Sequence, residues 1–346
     1  MPEQGTPETA YGRAPAATQE DVARELGISR TLVSLALRDR PGVSGPMRQR
    51  ILETAERLGY RRNSLAAELA QRQRTAVGLH LLDAHNDVYA TILSSVQAVI
   101  APAGRRLVLA VNSRSGRDDP QPRNTLLEAN VGVIISATSV APDDDVRTLN
   151  RALPVVLVAR RVEGVDSVYV EHDVGARAAV EHLAGLGHTR VAHLTGPSFE
   201  GHTQRRAGYL EAMRSLGLAP EVATNPGFAR EEAFGAARAL LDRPAADRPT
   251  AVFTHNDELA LAVREAAADL GLRVPADLSV VGFDNSRAAG LTGVDLTTVD
   301  IRGDELGRAA AEAAIRRLEH PGAPPLQRGF TPSLVVRRST APPRGV

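Results

Sequence analysis

Acids, amides and arginines placed just beyond short apolar strands can grip the hydroxyls of a small ligand, and this sequence places several there. Asn256 and Asp257 follow the strand pattern Ala251–His255, and Asp284 closes the pattern Ser279–Asp284. Each carboxylate or amide oxygen can accept from a different hydroxyl. Arg205 opens the helical stretch after Gly196-Pro197, and Arg160 lies beyond Val155–Val158. A guanidinium offers a fork of hydrogen bonds to a hydroxyl or a carboxylate. Tyr89 and Phe228 can lay apolar faces against a ring; aromatics make up only 3% of the chain, so two at such positions carry information. Weaker candidates are His85, Asn86 and Asp87 after the first strand, and Asp173. Competing structural roles are helix capping for Asp257, a loop turn for Asp284 and core packing for Phe228.

A second chemistry lies near the N-terminus. Residues 13–74 carry 12 arginines against 7 acids, whereas residues 75–346 sum to −3 in a chain that is neutral overall. A basic segment on a mildly acidic body is the footprint of a nucleic-acid module. Within it, Ser29, Arg30, Thr31 and Ser34 stand on the N-terminal half of a short helix, where side chains reach base edges in a major groove. Arg30 can fork onto guanine O6 and N7. Arg38, Arg48 and Arg50 suit phosphates, which position a protein without reading sequence.

Other chemistry is excluded by composition. The 346 residues include no cysteine, which removes disulfides, thiolate metal sites and cysteine nucleophiles. All 41 basic residues are arginine, which removes chemistry that needs a lysine amine. The nine histidines show no metal spacing, and no nucleophile elbow or dinucleotide-binding glycine turn occurs, so no metal, cofactor or catalytic residue is expected. No apolar run approaches a membrane span and no signal pattern opens the chain, which reads as a cytoplasmic, nucleoid-associated protein without a membrane partner.

The elements that must position these groups follow from periodicity. Residues 1–17 read as a disordered tail. Residues 18–62 read as three short helices: Thr18 caps the first, Gly27 stops it, Ser29 caps Arg30–Leu37, and Ser44 caps a third with Pro46 in its first turn. Leu32, Val33 and Ala36 are the inward face of the second, and the Gly27-Ile28 turn gives helix-turn-helix spacing. Residues 63–75 are a short helical pattern, too short to be stable alone. From residue 76 strands alternate with helices, which predicts two doubly wound parallel sheets with a ligand site at strand carboxyl ends. The expected lobes are 76–187 with 292–322, and 188–291 with 323–340, before a tail at 341–346.

In this order and spacing, the segments resemble the lactose-repressor/galactose-repressor (LacI/GalR) family of bacterial transcription regulators over residues 18 to about 340. The resemblance rests on Glu20-Asp21-Val22-Ala23, Gly27-Ile28-Ser29, Pro41-Gly42-Val43-Ser44 and Leu58-Gly59-Tyr60. Further on it rests on Leu186-Gly187-His188, Asn256-Asp257-Glu258, Gly271-Leu272-Arg273-Val274-Pro275 and Ser279-Val280-Val281-Gly282-Phe283-Asp284. Departures occur at Leu35-Ala36-Leu37-Arg38, at Glu68 in the hinge, and at Ala159-Arg160 and Asn285. The resemblance implies an all-α helix-turn-helix domain joined to a two-lobed, periplasmic-binding-protein-like α/β body. It also implies a homodimeric repressor on a near-palindromic double-stranded DNA operator, controlled by a small molecule, a sugar favoured, between the lobes. The hinge residues Asn63, Ala66 and Leu69 would then meet the minor groove, with Leu69 wedging a base step. Other readings of the same pattern are control by a partner protein, a nucleobase or carboxylate ligand, and a sugar-acting enzyme.

Overall fold

The computed structural model describes residues 17–60, 74–84, 86–112, 120–196, 200–225, 227 and 230–344. The hinge positions Asn63, Ala66 and Leu69, and also Phe228, lie outside the described residues. The chain forms two compact units, divided between Gln73 and Arg74.

The N-terminal unit contains α1 (Gln19–Leu26), α2 (Arg30–Leu37) and α3 (Gly45–Arg57). Thr18 starts α1 through a capping box: its hydroxyl accepts from Asp21 N, and the Asp21 carboxylate accepts from Thr18 N at 2.8 Å. Gly27 ends α1 at φ +65, the left-handed conformation that favours glycine, and Ile28 N donates back to Ala23 O. Ser29 Oγ accepts from Leu32 N at 3.2 Å and starts α2. The expected Ser44 side-chain cap on α3 is not formed; Pro46 near the start of the helix already lacks one of the amides a cap would satisfy. Val22, Ala23, Val33, Ala36, Ile51 and Ala55 make the core. Leu32 stays half-buried outside it, because the inward stripe of this short helix is Val33, Ala36 and the partly buried Leu37. Gln19 Nε2 donates to the Tyr60 hydroxyl at 3.0 Å, tying the start of α1 to the end of α3.

The second unit is a two-lobed α/β body. Its strands are β1 (Val77–Leu81), β2 (Leu107–Val111), β3 (Val133–Ala137), β4 (Val155–Val158), β5 (Asp166–Val170), β6 (Val191–Thr195), β7 (Glu221–Thr224), β8 (Ala251–Thr254), β9 (Ser279–Asp284), β10 (Thr297–Asp300), β11 (Gln327–Phe330) and β12 (Ser333–Val335). Its helices are α4 (Asp87–Ile100), α5 (Gln121–Glu128), α6 (Asp143–Ala152), α7 (His172–Gly185), α8 (Glu200–Ser215), α9 (Arg230–Leu241), α10 (Asp257–Asp269) and α11 (Gly303–Glu319). One sheet runs β11-β5-β4-β3-β1-β2, all parallel. The other runs β12-β10-β9-β8-β6-β7, parallel except for β12 against β10. Central strands such as β3, β4 and β9 are buried along their whole length, as sheets covered on both faces require.

The lobes divide differently from the sequence expectation. Helix α7 packs on α8, β10 and β12, so the first crossing lies near residue 171 rather than 187. Strand β10, expected with the first lobe, pairs with β9 in the second sheet. Strand β11, expected with the second lobe, pairs with β5 in the first. The chain therefore crosses three times. Periodicity locates a strand but not its hydrogen-bonded neighbour, and a three-residue step at 300–303 or 330–333 is enough to change lobes. Helix α11 returns along α4 and the first sheet.

Candidate ligand cleft and nucleic-acid interface

On α2 the polar side is open. Ser29, Arg30 and Thr31 are exposed, and Ser34 and Arg38 are half-buried. Arg30, Arg38 and Arg50 have no ion pair among the described residues. Arg48 is engaged: it pairs with Asp39 and donates to Arg40 O at 2.8 Å, clamping the loop between α2 and α3. The fold thus spends Arg48 and the Ser29 hydroxyl on local structure and leaves Arg30 and Thr31 unencumbered.

In the body, the expected ligand residues gather at the carboxyl ends of both sheets. Arg205 on α8 is the hub. Its Nη2 donates to Asp284 Oδ1 at 3.2 Å, Nη1 donates to His255 O, and Nε donates to His172 Nδ1 at 3.3 Å. The guanidinium lies 3.9 Å from the Phe283 ring centroid. Asp284 ends β9 at φ +107, followed by Asn285 at φ +52, so the backbone turns sharply where the carboxylate must point inward. Asp284 Oδ2 accepts from Asn86 Nδ2 at 3.3 Å. Asn86 precedes α4 and caps it through Val88 N at 3.0 Å, so this one bond ties the first lobe to the second. Tyr89, one turn into α4, is buried and bonded to Thr138.

The electrostatics follow from burial. Asp284 is pushed above, and Arg205 below, its ordinary value by desolvation, and their pairing opposes both shifts. The Tyr89 phenol is also pushed up by burial. Burial first, and then the Arg205 charge, lower His172 to about 3, so its ring is neutral. Nε2 donates to Ala159 O at 3.3 Å, which leaves Nδ1 free to accept from Arg205.

Asn256, Asp257 and Arg160 are each engaged within their own lobe. Asn256, rather than Asp257, caps α10: its Oδ1 accepts from Leu259 N at 2.9 Å. Asp257 points into the second lobe, accepting from Ser286 N at 2.7 Å and Thr298 Oγ1 at 2.6 Å. Burial first, and then the Asp284 charge, raise it to about 7. A Cβ on Gly282 would stand 2.2 Å from Asp257 Oδ1, so only glycine fits beside it. Arg160 donates to Ser139 O at 2.9 Å and Ala141 O at 2.6 Å and pairs with Asp143, fastening a loop of the first lobe. His172, His255 and Phe283 join the cluster without having been expected. His172 and His255 both follow strands, so applying the strand-end rule to every strand would have found them. Among the described residues no group of side chains could hold a metal ion, and no helix is long and apolar enough to cross a membrane.

A three-helix head with an open polar helix, and a two-lobed body with a polar cluster at its strand ends, define a DNA-binding regulator. The sequence profile of the periplasmic binding protein-like domain matches residues 180–340. The chain is 32% identical to the HTH-type transcriptional regulator MalR of Streptomyces coelicolor, over 93% of this chain and 96% of that one. It is 30% identical to the ribose operon repressor of Escherichia coli, over 93% and 99%. Among solved structures, the lac repressor bound to ONPG in its repressed state aligns with a TM-score of 0.81 at 25% identity, over 94% and 99%. This chain belongs to the LacI/GalR family of transcriptional regulators, and its relatives are regulators rather than enzymes.

Proposed function

We propose that the protein is a repressor that binds a near-palindromic operator as a homodimer and is released or recruited by a sugar bound between the lobes. The observation that carries this reading is the Arg205–Asp284–Asn86 chain, which spans both lobes with groups suited to hydroxyls. Asp284 accepts, Arg205 and Asn86 donate, and a polyol offers both roles at every oxygen. Arg205 is already neutralised by Asp284, and Arg160 is committed to its loop, so neither supplies an unpaired cation for a carboxylate ligand. The similarity to a ribose operon repressor and to a lac repressor bound to ONPG points the same way.

The Asn86–Asp284 bond is long, and a ligand hydroxyl inserted between the two would replace it with two shorter bonds. A ligand that fits one lobe arrangement better than the other shifts their populations, and a coupling of about 1–3 kcal/mol is enough to change operator affinity measurably. The hinge residues Asn63, Ala66 and Leu69 would read the minor groove, and Arg30 with Thr31 the major groove. The test is a thermal-shift screen of the full chain against pentoses, hexoses, disaccharides, nucleosides and small acids. A ligand at about 100 times its Kd adds about 2.7 kcal/mol. A stabilising sugar that also changes operator affinity supports the reading; operator affinity that responds only to nucleosides or acids, and to no sugar, overturns it.

A further inference from the structure

The first lobe holds a cavity on the sheet face opposite α4. It is a cleft of about 290 Å³, open to solvent on one side, between the sheet, α5 and α6. A cavity of roughly 150 Å³ accommodates benzene, so this one has room for a substituted ring. Its walls are hydrocarbon, including Leu126, Ile134, Leu149 and Val155.

Its floor is not. His80 stands in the middle of β1, a strand flanked on both sides and otherwise buried apolar. Its Nε2 meets Asn112 Oδ1 at 2.6 Å, and its Nδ1 meets Ser136 Oγ at 3.3 Å. Register aligns His80 with Ser136 on β3, and Asn112 follows the end of β2, so a polar row runs across β1 and β3 beneath the apolar walls. The bonds within the row offset the cost of placing polar side chains on this face, and they leave a polar floor beneath the apolar walls. Arg123 on α5 lines the same space, half-buried and with no carboxylate partner among the described residues. Its charge reaches His80, and with burial as the larger cause it holds that ring below its ordinary value, against the Asn112 bond. Asp145, the one acid of the lining, is exposed in solvent on the first turn of α6.

We propose that this cavity is a second ligand site, separate from the inter-lobe cluster, which takes a small monocarboxylic acid carrying an aromatic or alicyclic ring. The ring fills the hydrocarbon walls, the carboxylate pairs with Arg123, and the His80–Ser136 row supplies polar contact at the floor. One wall is Ser139–Ala141, the loop that Arg160 fastens and that follows Thr138, the partner of Tyr89. An acid bound here touches the backbone beside the inter-lobe cluster without occupying it.

The experiment is isothermal titration of the full-length protein with benzoate and with benzyl alcohol, its neutral counterpart, on wild type and Arg123→Gln. Benzoate should bind once per chain and more tightly than benzyl alcohol. Arg123→Gln should weaken benzoate about tenfold, the loss of one charge-assisted hydrogen bond, with benzyl alcohol little changed. Arg123 is half-exposed on a surface helix, so the variant should fold; an unchanged melting midpoint checks this. No heat from benzoate at millimolar concentration, or benzoate binding equal in the two proteins, overturns the site.

Discussion

The head and the inter-lobe cluster present functional groups in opposite ways. On α2, Arg30 and Thr31 are exposed and unpaired, and the core beneath them is six small or medium residues. In the body, Arg205 and Asp284 are less than 10% exposed and already bonded to each other and to Asn86, His172 and His255. The head can lose such a side chain at little cost in stability. The body cannot, because the groups of its cluster also hold one another in place.

That difference predicts a ranked series. Arg205→Ala strands a buried carboxylate and should cost about 3–5 kcal/mol, lowering the midpoint by several degrees; calorimetry showing an unshifted midpoint would break the contrast. Ile51→Ala empties the centre of the head and should cost about 2–5 kcal/mol there. With so little core, the head should unfold and DNA binding vanish while the body's transition stays put. Loss of both transitions together would mean the two units do not melt separately. Arg30→Ala should change stability by less than about 0.5 kcal/mol yet remove about 1–3 kcal/mol of operator discrimination, measured as the ratio of specific to nonspecific affinity. Equal weakening on random DNA would reduce Arg30 to a phosphate contact.

A further effect is in pH. His172 is neutral when folded, with its value near 3, but takes a proton near 6.5 when unfolded. Its contribution is present above pH 6.5 and declines as pH falls toward 3. Asp257, raised to about 7, works the other way: its protonated form favours the fold at low pH, and this is lost as pH rises through 7. His172→Gln should therefore flatten the acid-side loss of melting temperature. An unchanged slope between pH 6.5 and 4 would remove His172 from the acid response.

Legibility in the sequence follows the same divide. In the head, Thr18, Gly27 and Ser29 act locally, within three or four residues, so their roles could be read directly. In the body, strands β1, β3 to β6, β8 and β9 show as apolar runs because they are buried, and β2 shows as one although it is half-exposed at a sheet edge. Strand β7 is half-exposed at a sheet edge, and β11, also at an edge, is exposed over three of its four residues, so neither gives such a run. The strand-end rule located Arg205 and Asp284. It could not tell that Asn256 would cap α10, that Asp257 would turn toward Ser286 and Thr298, or that Arg160 would be bound by Ser139, Ala141 and Asp143. Those partners come from segments tens of residues away, or depend on which residue takes the cap.

The central claim is that Asp284 couples a sugar to operator release or capture through the Arg205–Asp284–Asn86 chain. The direct measurement is fluorescence anisotropy of operator DNA with wild type and Asp284→Asn, titrated with the sugar found by thermal shift. Asparagine keeps the shape and removes the charge. The account predicts that operator affinity without sugar is retained and the sugar response is lost. An Asp284→Asn protein that responds to the sugar as wild type does would contradict it.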